Sequence, residues 1–420
     1  MRVLFVHQNF PGQYRHLAPS LAAAGHQVVG LGEEPNVRRQ MGLTPGVRLL
    51  GYRMPVPDNS APPDPVLQPL NAALRRARVV AKAAAEIRER GFVPDVICSH
   101  IGWGEGIFLK DVFPNARQLL FCEYFYGNQG SDYGFDPEFP PRPDGRMKLR
   151  VMNAPLLLAL EASDRGIAPT RWQWQQFPAG YRGRISVAHD GIDTGRVAPD
   201  PEARFQIPGT EIILTRKDPV VTYMARNFEP YRGIHIFMRA IPEIQKRCPE
   251  AHIVLVGNDQ ISYSAKLPPG QTYRQRAINE VGARIDWTRV HISPGLPYER
   301  YLALLQVSSA HVYLTYPFVL SWSMLEAMAA GCLVIASRTA PVQEVIRDGE
   351  NGLLVDFFSP VEIAARVEEA LAEPRKWDEV RARARADVVA GYDLRTRCLP
   401  AHVALVQELA APAEVSVPRP

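Results

Sequence analysis

The sequence predicts an α/β protein made of two doubly wound domains, each a parallel sheet with helices on both faces. Short runs rich in β-branched residues alternate with helical patterns, the rhythm of βαβ units. That rhythm breaks once, at a stretch rich in proline, glycine and charge, and then begins again. At 420 residues the chain is also longer than one core of ordinary size requires.

First-half strands are expected at 3–7, 27–31, 95–99, 118–122, 167–168 and 185–189. A helical pattern runs from the Gly12 turn to Gly25, although Pro19 lies inside it and must either kink the helix or delay its start. A basic helix is expected over 70–91, with Arg75, Arg76, Arg78, Lys82, Arg88 and Arg90 among alanines and valines. Such a charge run is either a solvated face or a surface for anionic lipid. Residues 123–150 are dense in Tyr, Phe, Gly, Pro and Asp and carry no periodicity, as expected of an acceptor-binding loop or of plain cover over the sheet. Glu123, Tyr124 and Asp132 are its candidate acceptor residues.

The stretch 193–219 reads as a linker with its hinge near 193–200. Second-half strands follow at 220–224, 252–256, 290–293, 310–315, 332–336 and 352–355. Ser359, Pro360 and Glu362 supply an N-cap, a first-turn proline and a capping-box partner for a helix closed at Pro374. A helix from Arg375 and an amphipathic one over 394–409 end the fold, and the tail beyond Ala410 is expected to fray. The expected domains are therefore 1–195, 196–390, and a C-terminal helix and tail, 391–420, that packs back toward the first.

Composition narrows the chemistry. Lysine and arginine exceed aspartate and glutamate by 48 to 44, too small an excess for a nucleic-acid binder, and 46% hydrophobic residues are enough to build large cores. Five cysteines lie scattered without C-x-x-C or zinc spacing, which points to buried thiols in a reducing cytoplasm and to no metal site. No apolar run approaches a membrane span, and the first ten residues are too short for a signal-peptide core. The G-x-G-x-x-G fingerprint is absent, so a nicotinamide cofactor is not expected.

Three places carry residues suited to an anionic ligand. Gly12 sits at a strand-to-helix turn, where backbone amides can approach an anion. Arg226 and Arg232 flank the turn after 220–224, a fork suited to a diphosphate because arginine binds phosphate oxygens bidentately and stays charged. After 310–315 comes a loop, Val319, Leu320 and Ser321, then a helix expected from Ser323 with Glu326 on its first turn. Free amides there suit phosphate or sugar hydroxyls, and Glu326 suits a ribose diol. Spacing equally permits a capping box in which Glu326 only satisfies the Ser323 amide.

The second half resembles the retaining glycosyltransferases of family 4, group 1. The matching segments are Arg226 to Gly233, HIVLVG at 252–257, LEAMAAGCLVIAS at 325–337 and EVIRDGENGLLVD at 344–356. In the first half, DVICSH at 95–100 and HDGIDT at 189–194 resemble the family more loosely. The resemblance implies the GT-B fold, two facing Rossmann-like domains with an interdomain cleft. It also implies a nucleotide-diphosphate sugar as donor. Arg226 and Arg232 would neutralise the diphosphate, Glu326 would bind the ribose, and His100 would contact the sugar. Gly12, Val319, Leu320, Ser321 and Ser323 would line the donor site, with Gly295 and Leu296 near the base. Without the resemblance, His100 reads equally well as a histidine satisfied by nearby backbone.

The family spaces its paired glutamates E-x7-E, and the first position here is Phe318. That departure removes a carboxylate that normally engages the donor sugar. The N-terminal double-glycine loop is reduced to Gly12, and Glu123 stands where many members have a histidine.

The expected function is transfer of a sugar to a glycan, lipid-linked or other hydroxyl acceptor, with retention and without a divalent metal, by a cytoplasmic protein that can sit on the inner membrane surface. The front-side route expected here needs no protein nucleophile, and domain closure would exclude water. The alternatives are a non-catalytic nucleotide-sugar-binding subunit of the same fold, or a sugar-nucleotide epimerase.

Overall fold

A computed structural model of the chain describes residues 1–40, 42–55 and 64–411. The tail expected to fray lies outside them, apart from Ala411. The chain divides into two compact units, one of Met1–Gln129, Phe139–Gly191 and the chain from Arg395, the other of Gly130–Glu138 and Ile192–Leu394. This differs from the expected domains in placing the first boundary at 191/192 and in grouping Gly130–Glu138, from the aperiodic insertion, with the second unit.

The first unit holds β1 (Arg2–Val6), β2 (Gln27–Glu33), β3 (Arg48–Tyr52), β4 (Val96–His100), β5 (Arg117–Phe121), β6 (Arg165–Ala168) and β7 (Ile185–Val187). They form one sheet in the order β3-β2-β1-β4-β5-β6-β7, parallel at every pairing. Alternate β1 side chains serve opposite faces. Val3 and Phe5 pack with Phe10, Leu17, Leu21 and Val406, the last from the C-terminal helix Leu399–Ala410. Leu4 and Val6 pack with Val80, Ala84 and Ile87 of the helix Gln68–Glu89. Sequence reading missed β3 because an edge strand carrying Arg48 and Gly51 buries little beyond Tyr52.

In the second unit β8 (Arg204–Gln206) and β9 (Ile213–Thr215) form an antiparallel hairpin. The stretch read as linker thus folds in part, because Phe205 and Leu214 are buried in the unit's core. Then come β10 (Val220–Asn227), β11 (His252–Asn258), β12 (Val290–Ser293), β13 (Ala310–Tyr313), β14 (Leu333–Ser337) and β15 (Leu353–Val355), ordered β12-β11-β10-β13-β14-β15 and all parallel. Strands buried on both faces read as near-continuous apolar runs, which is why these were legible.

Each sheet reverses its winding once, between β1 and β4 in the first unit and between β10 and β13 in the second. Ligands of open α/β sheets bind outside the carboxyl ends of the strands at such a reversal. His7 and His100 stand at the first of these points, and the turn after β10 and the loop after β13 stand at the second.

Local details decide one expectation and correct two. The first helix proper is Leu17–Ala23, so Pro19 falls in its first turn and costs no interior hydrogen bond. Gly12 opens only a single 3₁₀ turn, Gly12–Tyr14. At the helix Pro360–Ala372, Ser359 caps the Glu362 amide as expected, but the Glu362 carboxylate accepts from the Asp356 N–H instead of from Ser359.

Buried in the first unit, Glu105 accepts a hydrogen bond from the Tyr52 hydroxyl at 2.7 Å, and its other oxygen has no partner among the described residues. Burial raises its carboxyl from 4.5 to about 7. A folded value above the unfolded one stabilises below the unfolded value, and that stability is lost as pH rises through the folded value. Wild-type protein should therefore lose on the order of 3 kcal/mol between about pH 4.5 and 7.5 through this group. Melting temperatures at both pH values should fall less steeply for Glu105→Gln than for wild type.

Candidate functional site

At the first unit's reversal point, His7 follows β1 and accepts the Asn9 N–H on Nδ1 at 2.9 Å. Burial first, and the nearby His100 ring second, hold it down to about 3, so the ring is neutral near pH 7. Gly12 lies against it with φ of +48°, and a Cβ there would stand 2.8 Å from the ring. Glycine is therefore required by the fit to His7 as well as by the turn. His100 ends β4, and its Nδ1 accepts the Gly102 N–H at 3.0 Å, which leaves the proton of the neutral ring on Nε2. The Nε2 atom lies 3.5 Å from Glu123 Oε2 but outside hydrogen-bonding geometry, and it has no other partner among the described residues. Backbone thus satisfies one nitrogen of His100, and the other is buried without a hydrogen bond among the described residues.

Glu123 also accepts from the Gln13 side chain at 3.2 Å, so Gly12's turn and Glu123 belong to one cluster. Tyr124 is buried against Trp172 and Tyr126 and serves packing.

In the second unit the two arginines differ. Arg226, on β10, is exposed, and its guanidinium has no hydrogen-bonded or ion-paired partner among the described residues. Arg232 is half-buried and donates to the Tyr313 hydroxyl at 3.3 Å, the Thr315 hydroxyl at 2.7 Å and the Val319 carbonyl at 3.2 Å. Arg226 is thus open to a ligand, whereas Arg232 holds the loop that follows β13.

That loop leads into the helix Trp322–Ala329, capped by Ser321, whose Oγ accepts the Ser323 N–H. The Ser321 N–H itself goes to the Tyr313 hydroxyl at 2.9 Å. The N–H groups of Val319 and Leu320 make no hydrogen bond among the described residues and remain for a ligand. Because Ser321 and not Ser323 is the cap, Glu326 falls beyond the third helical position and the capping-box reading fails. Its two carboxylate oxygens instead accept from Tyr298 and Tyr301, each at 2.8 Å.

Gly295 and Leu296 follow β12. The Gly295 N–H donates to Asn258 Oδ1 at 3.2 Å, and Leu296 packs on the core. Beside them a hollow of about 310 Å³ lies at the ends of β11 and β12, lined by Asn258, Asp259, Arg274, Ser293 and Pro294. Arg274 and Asp259 form a two-bond ion pair across it, at 2.9 and 2.5 Å.

Asp132 and Phe318 share a neighbour. The Tyr231 hydroxyl donates to Asp132 at 2.6 Å, and its ring meets Phe318 edge-on at 5.3 Å. Asp136, Glu138 and His235 place one ligand atom each within 4.8 Å of one another, the only such grouping of three among the described residues. Its anions already have protein partners: Asp136 takes the Tyr316 hydroxyl, His235 and the Glu138 amide, and Glu138 pairs with Arg239. Burial pushes the Asp136 carboxyl up, but bonds from His235 and Tyr316 outweigh it and hold the group below the usual range. Asp136 and His235 are buried, whereas the Glu138–Arg239 ion pair is partly exposed.

Sequence reasoning missed Tyr298 and Tyr301, Asn258, Asp259 and Arg274, and His7. The spacing of Tyr298 and Tyr301 on one helix face and the position of His7 after β1 were visible, but their partners are set by tertiary contacts.

Comparison with known proteins agrees with this geometry. Residues 24–197 match the family described as glycosyl transferase family 4 group, and residues 210–387 match glycosyl transferases group 1. Over 213 residues, 49% of this chain and 53% of the relative, the sequence is 28% identical to the GDP-mannose-dependent alpha-(1-6)-phosphatidylinositol monomannoside mannosyltransferase of Mycolicibacterium smegmatis. Over 206 residues, 49% of this chain and 46% of the relative, it is 27% identical to the D-inositol 3-phosphate glycosyltransferase of Corynebacterium efficiens. The chain spans about half the length of these curated relatives. The sucrose-phosphate synthase of Thermosynechococcus elongatus superposes with a TM-score of 0.73 at 18% identity, over 98% of this chain and 100% of that one. Anabaena HepE in complex with UDP-glucose gives 0.67 at 16%, over 97% and 99%. These likenesses establish the GT-B fold. No helix among the described residues is long and apolar enough to cross a membrane.

Removing each arginine should separate their roles. Arg232→Ala leaves the fully buried Thr315 hydroxyl without its donor and should cost about 1–3 kcal/mol in urea unfolding. Arg226→Ala, at an exposed position without partners, should stay within about 0.5 kcal/mol of wild type.

Proposed function

Because the chain belongs to the family 4, group 1 glycosyltransferases, we propose that it transfers a sugar from a nucleotide-diphosphate donor to a hydroxyl acceptor. The observation that carries this is the pairing of a partnerless guanidinium, Arg226, with the open Val319 and Leu320 amides at the carboxyl ends of adjacent strands. Positive groups held in place before charge develops on a leaving diphosphate are the arrangement that accelerates its departure. Arg232 contributes its charge and the shape of the loop. With cationic charge supplied by the protein, we infer that no divalent metal takes part.

Glu326, aligned by two tyrosines, is assigned to the donor ribose, whose diol can share a carboxylate already accepting one bond per oxygen. The hollow beside Gly295 and Leu296 is assigned to the base. His100 offers its Nε2 proton to a sugar hydroxyl. The proposed route is front-side: the acceptor hydroxyl attacks the anomeric carbon on the face the diphosphate leaves, and a phosphate oxygen takes its proton. Configuration is then retained.

A lipid-linked or polysaccharide acceptor fits this reading, and the phosphatidylinositol-monomannoside transferase among the relatives supports it. On the helix Gln68–Glu89, Arg75, Arg78 and Lys82 are exposed, and we propose that this face meets an anionic bilayer at the inner membrane surface. Sedimentation with vesicles of phosphatidylglycerol should pellet the wild-type chain and leave an Arg75/Arg78/Lys82→Glu variant in solution. Equal pelleting of both would remove the lipid role.

Donor binding is tested by titrating UDP, GDP and ADP calorimetrically. One series should bind wild-type protein, and Arg226→Ala should bind it about 10- to 100-fold more weakly. An unchanged dissociation constant would reject the diphosphate assignment. The anomeric coupling of the product by NMR then reads retention directly.

A further inference from the structure

The helix Gly145–Ala162 of the first unit turns an apolar face outward. Met147 is 61% exposed, Leu158 47% and Leu157 38%, whereas no other helix among the described residues leaves more than one large hydrophobic side chain so exposed. Residues 147, 151, 154 and 158 follow the helical spacing, so Met147, Val151, Ala154 and Leu158 line one stripe. Around its N-terminal end stand Arg142, Arg146, Lys148 and Arg150, all exposed and with no side-chain hydrogen bond or ion pair among the described residues. Asp144 is the only acid between them.

An apolar stripe rimmed by unneutralised cations is the surface of a helix that lies in the headgroup layer of anionic lipid. A second copy docked on the same face would instead bring like charges together, which disfavours that occupant. The helix is also placed for a lipid-borne substrate. Asp164, just past its end, bonds the Gln118 backbone near the start of β5, while Asn153 exchanges two bonds with the Tyr126 backbone, five residues beyond the end of β5. Met147 and the cations therefore sit on the carboxyl-end side of the sheet, the side on which His100 and Glu123 stand. Leu156, Ala159 and Leu160 share a core cluster with Ala77 and Leu74 of the basic helix Gln68–Glu89, so the two helices are neighbours.

We infer that the helix Gly145–Ala162 inserts its stripe from Met147 to Leu158 into the acyl boundary of an anionic bilayer, with Arg142, Arg146, Lys148 and Arg150 on the headgroups. The inference rests on the bilayer reading of the helix Gln68–Glu89. It goes beyond that reading by assigning apolar insertion to a second helix, where the first supplies surface charge.

The test separates insertion from charge. Wild type and a Met147/Leu158→Asp variant are sedimented with phosphatidylglycerol vesicles at low and high salt. In 1 M NaCl the Debye length shrinks to about 3 Å, so charge alone no longer holds the protein. Wild type should still pellet there, and Met147/Leu158→Asp should bind about 10- to 100-fold more weakly. A second readout does not depend on that variant. Met147→Cys takes a polarity-sensitive fluorophore, since the five native thiols are buried. Its emission should shift to the blue with vesicles, and the same label on Val361→Cys, at another exposed helix position, should not respond. Loss of wild-type binding in 1 M NaCl, an unshifted label at 147 or an equal shift at 361 overturns insertion and leaves the charge reading in place. A wild-type dimer without vesicles that Met147/Leu158→Asp lacks gives the face to a second copy and overturns it as well. If wild type ignores the vesicles at 0.1 M NaCl, the bilayer reading itself falls.

Discussion

The side chain of Arg232 ties the turn after β10 to the loop after β13. Its three acceptors are the Tyr313 and Thr315 hydroxyls and the Val319 carbonyl. From there the order spreads. Tyr313 takes the Ser321 amide and so fixes where the helix Trp322–Ala329 begins, and that start sets the direction of Glu326 toward Tyr298 and Tyr301. Thr315 is tied onward to β14, since its amide donates to Ser337. A planar guanidinium reaches acceptors on two elements at once and keeps its charge, which a compact ammonium does less well. An arginine therefore suits position 232, whose first duty is to shape the loop.

How much of this was legible follows from which forces act locally. Most strands of both sheets could be read because two-sided burial writes itself as apolar runs, whereas the order reversals that place His100, Arg226 and the 319–321 loop at ligand-binding ends emerge only in the folded sheets. The edge strand β3 and the β8–β9 hairpin could not, being short and stabilised by contacts far along the chain. Glu326 shows the limit most clearly. Its spacing from Ser323 allowed two readings, and the choice depended on a helix start set by the tyrosine at 313. The partners of Asp132 and Asp136 were equally hidden, since 99 and 180 residues separate them from Tyr231 and Tyr316.

The acids of Gly130–Glu138 follow a common logic. A buried carboxylate is costly unless donors surround it. Buried Asp132 has the Tyr231 hydroxyl and buried Asp136 has Tyr316 and His235, while the exposed Glu138 pairs with Arg239, which also binds Glu280. Phe135 adds apolar contact with Tyr316, Phe357 and Phe358. Nine residues thus carry enough polar pairing and aromatic packing to belong to the second unit although the chain on either side belongs to the first.

That segment makes the second unit discontinuous. The backbone passes between units at 129/130, 138/139, 191/192 and 394/395. A recombinant fragment cut as one continuous piece, 192–394, would leave Tyr231, Tyr316, His235 and Arg239 facing water where their acids had been. A chimera that exchanges only the continuous stretch after 191 would join one parent's 130–138 segment to the other parent's second unit. Modularity here is a property of the folded surface and not of the linear gene.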